Sequence, residues 1–507
     1  MIKARPRLLG IAASLRNARW GAGNRHLVEE ISAIGSREEL DRFLTRESEL
    51  HLGNFLEAGR RDGKGFEEIY RNLRKSNGQV GLSNSEIALT AALWDASRSG
   101  VDVDHLSLAE FFTAGGDLRN GAALRNALLA SDGILISGPV YFGDRGSLAE
   151  SLIEFIRSDA ELREAMKGKL YGGIAVGAKR NGGQETTLIY QMMDMAELDL
   201  LVVGNDSDTT AQYGGTVLAG DVGTAHKDKY GLDTSVGVGR RMANVLKIMN
   251  SPERLADVPR VLFLILQDQD GGVALAETRE LVSRLGPRIA PTVIDLSGKS
   301  VKRCIACDIC PTHIDIDDSY RCIIKSGNDD LSDVHADLLH HDMLVPVVAS
   351  ASNAAAIATN YQTFIERSRY LRRGDYVWSD LLVAPLSFVD SYSHNSFLLR
   401  MMTSFIRHHT IMAKPAVGFV ADGKAVNRDQ IAASMLQAVR QADRLTAGRL
   451  TQARRHASQY NPVGYVLSAD KDAEDQKLQR RAAMVEDRKA RLEREARARL
   501  LRDVANG

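Results

Sequence analysis

Short apolar runs alternate along this chain with longer stretches whose apolar positions return every three or four residues. Each run ends at a cluster of Gly, Ser, Asn or Pro. In the first half the runs are 7–13 (RLLGIAA), 132–138 (DGILISG), 171–177 (YGGIAVG) and 199–204 (DLLVVG). The amphipathic stretches include 84–99, 146–157 and 184–197. Near-continuous apolar runs separated by helical periodicity predict strands of a parallel sheet joined by helices. The rhythm restarts near Pro259, with strands expected at 260–267, 291–296, 343–350, 380–386 and 416–422. Helices are expected at 273–285 and over DVHADLLHH, from Asp333 to His341. The predicted organisation is two α/β domains, 1–255 and 256–467, followed by a charged helical tail over 468–507. A helical, charge-rich insert at about 18–79 interrupts the first domain.

In the tail, Leu478, Ala482, Val485, Leu492, Ala496 and Leu500 fall near one helical stripe interrupted by Lys489. Such a helix is either solvated and laced with i,i+4 ion pairs or an arm that docks on another subunit. The insert reads as a lid, a partner surface or a loop decoration. His340-His341 and His408-His409 sit in helical patterns and read as helix-face residues rather than ligands.

Charge narrows the partners. Lys+Arg and Asp+Glu are equal at 65 each, so there is no basic footprint for nucleic acid. No run approaches a membrane span, and the N-terminal apolar run is too short for a signal peptide, so a cytoplasmic location is expected. All four cysteines lie in one stretch, RCIACDICPTHIDIDDSYRC, as Cys304, Cys307, Cys310 and Cys322. In a reducing compartment such a set reads as metal-binding rather than disulfide. Two successive gaps of two residues favour a [4Fe–4S] cluster, with Zn²⁺ as the alternative occupant and uncommitted thiols as the bland reading.

Three turns at strand ends carry further chemistry. The first strand runs into Ser14, Arg16 and Asn17, and a related fragment, GLSNSE, supplies Ser83, Asn84 and Ser85 at a helix start. Hydroxyls, backbone N–H groups and an arginine at a helix N-terminus make a phosphate cradle. The second turn holds Pro139, Val140, Tyr141, Phe142 and Gly143. The third, VGAKRNGGQETT, holds Gly177, Asn181, Gly182, Gly183 and Gln184.

In this order the turns resemble the flavin-binding loops of the NADPH-dependent FMN reductase and iron–sulfur flavoprotein family, which has a flavodoxin-like fold. The resemblance implies that the first set grips an FMN phosphate and the other two surround the isoalloxazine ring. It departs from the family in splitting the phosphate loop by about sixty residues. It also implies that the cysteine motif follows the second strand of the second domain, although eleven residues separate Cys310 from Cys322, more than in the family's compact motif. At the matching places the second domain reads QDQDGG (267–272), ASASN (349–353) and SFVDSYSH (387–394). Its aspartates would repel a phosphate. The picture is a tandem of two flavodoxin-like domains, doubly wound parallel sheets, one keeping flavin loops and the other the cysteines. If the tandem is a fused dimer, the cluster loop of one half would approach the flavin of the other.

The expected function is an iron–sulfur flavoprotein oxidoreductase, with electron transfer between FMN and the cluster and with ferredoxin or NAD(P)H as donor. The catalytic residues are not legible. The alternatives are an NAD(P)H-dependent FMN or quinone reductase without a cluster, or a non-catalytic assembly subunit. A homo-oligomer or a partner protein would be engaged through the insert and tail.

Overall fold

The computed structural model describes residues 5–16, 19, 22–59, 65, 81–206, 208–268, 272–307, 322–324, 329–350, 354–373, 376–390, 396–453 and 471–501. The chain divides into two compact units, 1–250 and 251–507. Among the described residues no helix is long and apolar enough to cross a membrane.

In the first unit the elements run β1 (Arg7–Ala12), α1 (Ala22–Ala33), α2 (Arg37–Gly59), α3 (Asn84–Arg98), β2 (Asp102–Ser107), α4 (Gly121–Ala130), β3 (Gly133–Tyr141), β4 (Asp144–Arg145), α5 (Ser147–Ser158), β5 (Leu170–Gly177), α6 (Gln184–Glu197), β6 (Leu201–Val202), β7 (Gly215–Leu218) and α7 (Lys229–Met249). β1 pairs in parallel with β2 and β3, β3 with β5, and β5 with both β6 and β7. Leaving out the hairpin strand β4 and counting β6 and β7 as one interrupted strand, the order is β2-β1-β3-β5-β6/β7, the arrangement of a flavodoxin-like doubly wound sheet. Every residue of β5 is buried, which is why it reads as an unbroken apolar run. β2 escapes the hydrophobic pattern because Asp102, Asp104 and His105 punctuate it. The strand expected at 199–204 is two residues long, and the sheet is continued by β7.

The second unit repeats the order. Its elements are β8 (Arg260–Gln267), α8 (Val273–Leu285), β9 (Ala290–Asp295), β10 (Met343–Ser350), α9 (Ala354–Arg367), β11 (Leu382–Val383), β12 (Leu386–Val389), α10 (Ser396–Ile406), β13 (Ile411–Met412), β14 (Ala416–Ala421), α11 (Arg428–Ala453) and α12 (Lys471–Arg499). β8 lies between β9 and β10, β10 pairs with β11 and β12, and these pair with β13 and β14, all in parallel. The strand expected at 380–386 is broken between β11 and β12, where Pro385 has no N–H to give to the ladder.

Two expectations are corrected. The helix expected over Asp333–His341 is only a turn at Asp330–Asp333 and a 3₁₀ turn at Ala336–Leu338. Trp378 Nε1 donates to Leu338 O at 3.0 Å, and Asp342 accepts from Arg260 N at 2.8 Å, so tertiary contacts take this segment out of a helix. His340 consequently adopts a left-handed φ of 62°. His408 and His409 likewise follow α10 in a turn, with His409 at φ 58°. His408 is buried against Trp378 at 5.0 Å between ring centroids, and burial pushes its pKa down to about 3.

The last turns of α12 dock within their own unit. Leu492, Ala496 and Leu500 pack on Leu255, Ala447 and Leu450. Arg499 forms a bidentate pair with the fully buried Asp342 at 2.7 and 2.9 Å and also reaches Asp257 and Glu495. Of the tail stripe, Ala482 is exposed, and the side chains of Leu478 and Val485 lie outside the described residues.

Candidate functional site

Adjacent strands β1, β3 and β5 end side by side, and their carboxyl ends bring the three turns together. Ala13 N donates to Ser137 O at 2.8 Å, and Ser137 Oγ donates to Ser85 O at 2.8 Å. This bridge carries the Ser14–Arg16 turn to the start of α3 although the insert separates them in sequence. Asn17 lies outside the described residues. Ser83 caps α3 in a reciprocal box: Glu86 N donates to Ser83 Oγ, and Ser83 N donates to Glu86 Oε2 at 2.9 Å. The box leaves the first-turn N–H groups of Asn84 and Ser85 directed out of the helix end, where an anion is favoured. Arg16 is exposed, with its guanidinium 5.2 Å over the Phe55 ring of α2. Together these groups fit a phosphate.

Asn84 has a use the sequence did not show. Its side-chain amide donates to Asp221 O at 2.8 Å, and its carbonyl accepts from Thr224 N and Ala225 N at 3.1 Å each. The side chain therefore clamps the 221–225 loop rather than facing a phosphate. The insert is packed beside the same place. A Cβ on Gly81 would collide with the Glu47 carbonyl oxygen, and one on Gly223 would lie 2.7 Å from Ser48 O. Helix α2 thus lies directly on the turn before α3 and on the 221–225 loop.

Beneath the cradle sits a buried polar set. Arg19 pairs with Glu30 at 2.6 Å and with Glu47 at 2.8 Å. Glu86 is fully buried, and desolvation raises its pKa to about 7. His105 is pushed down to about 3 by burial and by Arg19. Asn24 Nδ2 donates to Glu110, which directs its Oδ1 at His105 Nδ1, 2.9 Å away. That contact assigns the proton to Nδ1 and leaves Nε2 an acceptor, 3.9 Å from Glu86 Oε1.

The ring-side turns meet. β3 continues through Pro139 and Val140 into a tight hairpin with β4, and its two corner residues, Phe142 and Gly143, have φ of 52° and 82°. Two left-handed corners are the signature of a type I′ turn, which a phenylalanine adopts only with strain. Phe142 is fully exposed and Tyr141 largely so. Across from them Asn181 and Gly183 are also left-handed, at 58° and 106°. A Cβ on Gly183 would stand 2.7 Å from Gly143 Cα, so the two loops touch at their glycines. Gln184 is buried and turned inward: Nε2 donates to Lys179 O, and Oε1 accepts from Gly182 N, both at 2.8 Å. It shapes the loop, and Gly177 lies under it. The hairpin is fixed by Arg145, which pairs with Glu150 and Asp194 at 2.6 Å each. An exposed aromatic corner facing a strained Gly-Gly loop, next to a phosphate cradle, fits the planar ring and phosphate of FMN.

In the second unit the corresponding helix end is already filled. Asp268 accepts from Ala274 N at 2.7 Å and Leu275 N at 3.1 Å, so a carboxylate occupies the N-terminus of α8. Residues 351–353 and 391–395 lie outside the described residues. Cys304 and Cys307 are half-buried and Cys322 is buried, while Cys310 lies outside the described residues. Among the described residues no three His, Cys, Asp or Glu side chains gather into a group that could hold a metal ion.

The neck of the cysteine segment is well defined. Arg367, fully buried, pairs with fully buried Asp329 through two nitrogens at 2.8 and 2.9 Å and donates to Lys302 O at 2.8 Å. Lys302 N donates to Asp329 Oδ1, Ser300 N to Asp330 Oδ2, and Asp330 N to Ser300 O. Residues 300–302 and 329–330 are thus laced together.

Residues 77–207 match the NADPH-dependent FMN reductase family. Over 119 residues the chain is 37% identical to an iron–sulfur flavoprotein of Methanocaldococcus jannaschii, covering 24% of this chain and 61% of that protein. Over 125 residues it is 29% identical to an NAD(P)H dehydrogenase (quinone) of Caulobacter vibrioides, covering 22% of this chain and 61% of that one. A WrbA-like flavodoxin structure from Agrobacterium tumefaciens aligns with 48% of this chain and 98% of its own, at 13% identity and a TM-score of 0.25. The chain spans about three fifths of the length of the curated relatives it matches.

Proposed function

We propose that this chain is an FMN-dependent oxidoreductase, because residues 77–207 match the NADPH-dependent FMN reductase family and the same region resembles an archaeal iron–sulfur flavoprotein. The observation that carries the reading is the contact of Gly143 with Gly183, which sets an aromatic corner against a strained glycine loop beside the α3 N-terminus. The FMN supplies hydride and single-electron chemistry when bound. The N-terminus of α3, Ser14 and Arg16 hold the phosphate. Backbone groups of 139–143 and 181–183 border the ring, and Phe142 shields it from water. These groups are amides, hydroxyls and an aromatic rather than acids and bases, so their contribution is position and exclusion of solvent.

Two finer readings follow. The spacing of Cys304, Cys307, Cys310 and Cys322 and the name of the archaeal relative support a [4Fe–4S] cluster in the second unit, with ferredoxin or NAD(P)H as electron donor. The similarity to an NAD(P)H dehydrogenase (quinone) supports a quinone or flavin reductase that works without a cluster. Anaerobic purification with an ultraviolet–visible spectrum and iron, sulfide and zinc analysis separates them. Flavin with iron and sulfide supports the first reading, and flavin without iron supports the second. A chain that neither retains FMN nor takes it up on reconstitution overturns the assignment.

A further inference from the structure

We propose that the second unit carries a separate binding site for a small organic phosphate, under its C-terminal helix. A cavity of about 300 Å³ lies between α12 and the body of this unit, at the small end of the range for small-molecule pockets. Five arginines line it: Arg260 and Arg449 from the body, and Arg488, Arg491 and Arg494 from α12. The last three recur every three residues, which places them along one helical face. Among the described residues, Glu495 is the one carboxylate in the lining.

The nearby acids among the described residues are shared between several arginines. Asp342 and Asp257 pair with Arg499, Arg260 reaches Asp342 and Glu495, Arg449 lies 3.7 Å from Asp342, and Arg491 lies 3.7 Å from Asp487. Arg449 Nε is buried with no hydrogen-bond partner among the described residues. His341, pushed down to about 4 by burial and Arg260, is neutral at neutral pH and adds no charge. Guanidinium forks that cannot deprotonate, gathered in a partly enclosed space, draw in an anion, and phosphate matches their geometry.

The opposite wall defines the rest of the ligand. Trp378 and Tyr370 are held rigidly, by Leu338 O and by His335 Nδ1 at 2.9 Å, and Leu339, Leu371 and Val377 complete an apolar floor. An anion with a flat, apolar body suits both walls, as in a mononucleotide.

The test is calorimetric titration of the full chain, carrying whatever flavin it retains, with adenosine 5′-monophosphate, inorganic phosphate and adenosine at low salt. The expected result is saturable binding of the monophosphate, weaker binding of inorganic phosphate and none of adenosine. The double variant Arg491→Gln/Arg494→Gln should lose at least tenfold in affinity while keeping the flavin content of the wild type. Those positions are surface groups far in sequence from the flavin loops, so the result reads this site even if the chain proves to hold no FMN. Absence of saturable monophosphate binding, or equal affinity in the double variant, overturns the proposal. Inorganic phosphate binding as tightly as the monophosphate overturns the organic part of the assignment.

Discussion

Glu86 offers a quantitative test of the buried set beneath the proposed phosphate cradle. Its carboxyl is fully buried, and burial pushes its pKa up from the usual 4.5 to about 7. A folded pKa above the unfolded one stabilises the protein fully below the unfolded value. That contribution is lost as pH rises through about 7. Such a rise corresponds to about 3 kcal/mol. Glu86→Gln keeps an oxygen to accept from Ser83 N, preserving the capping box, and turns an amide N–H toward the acceptor Nε2 of His105. The variant should match the wild type at about pH 4.5 and exceed it by up to about 3 kcal/mol at about pH 8.5. Hydrogen exchange of the α3 peptide, corrected for intrinsic rates at each pH, measures this. A variant less stable at pH 8.5, or a difference that does not change with pH, refutes the assignment of a desolvated, proton-binding Glu86.

Three further outcomes are expected. Gly183→Ala forces a side chain into a left-handed position against Gly143, so FMN affinity measured by flavin fluorescence quenching should fall at least tenfold, with a stability loss of about 1–3 kcal/mol. Arg367→Leu strands Asp329 as a buried, uncompensated charge and should cost about 3–5 kcal/mol in the unfolding of the second unit. It should also speed thiol labelling of Cys322, whereas Arg367→Leu/Asp329→Leu should recover much of the loss. Arg499→Met removes the main partner of Asp342, whose carboxyl is held below its usual range by that arginine against the opposing effect of burial. That contribution is present above about pH 3.8 and fades as pH falls through the folded value. The variant should therefore be destabilised at neutral pH and show a shallower acid limb in thermal scans.

The parts of the fold legible in the sequence are those where one physical cause dominates. β5 and β8 are buried along nearly their whole length and therefore read as apolar runs. α3 carries its own start signal in Ser83 and Glu86. The flavin-like turns stood out because left-handed corners recruit glycine, as at Gly143 and Gly183. The illegible parts depend on distant partners. The clamp of Asn84 on residues 221–225 spans about 140 positions, and that of Arg367 on Asp329 spans 38. No local pattern announces either. Phe142 was legible as an aromatic but not as a strained corner, because its residue type argues against the conformation it takes.

The laced neck at residues 300–302 and 329–330 also says something about how this chain can change over time. A segment that leaves and re-enters a sheet domain through one closed gate can vary in length without disturbing the register of β9 or β10. The gate separates two evolutionary pressures. Arg367 and Asp329 answer to the stability of the sheet, while the residues beyond them are free to answer to whatever the thiols are asked to hold.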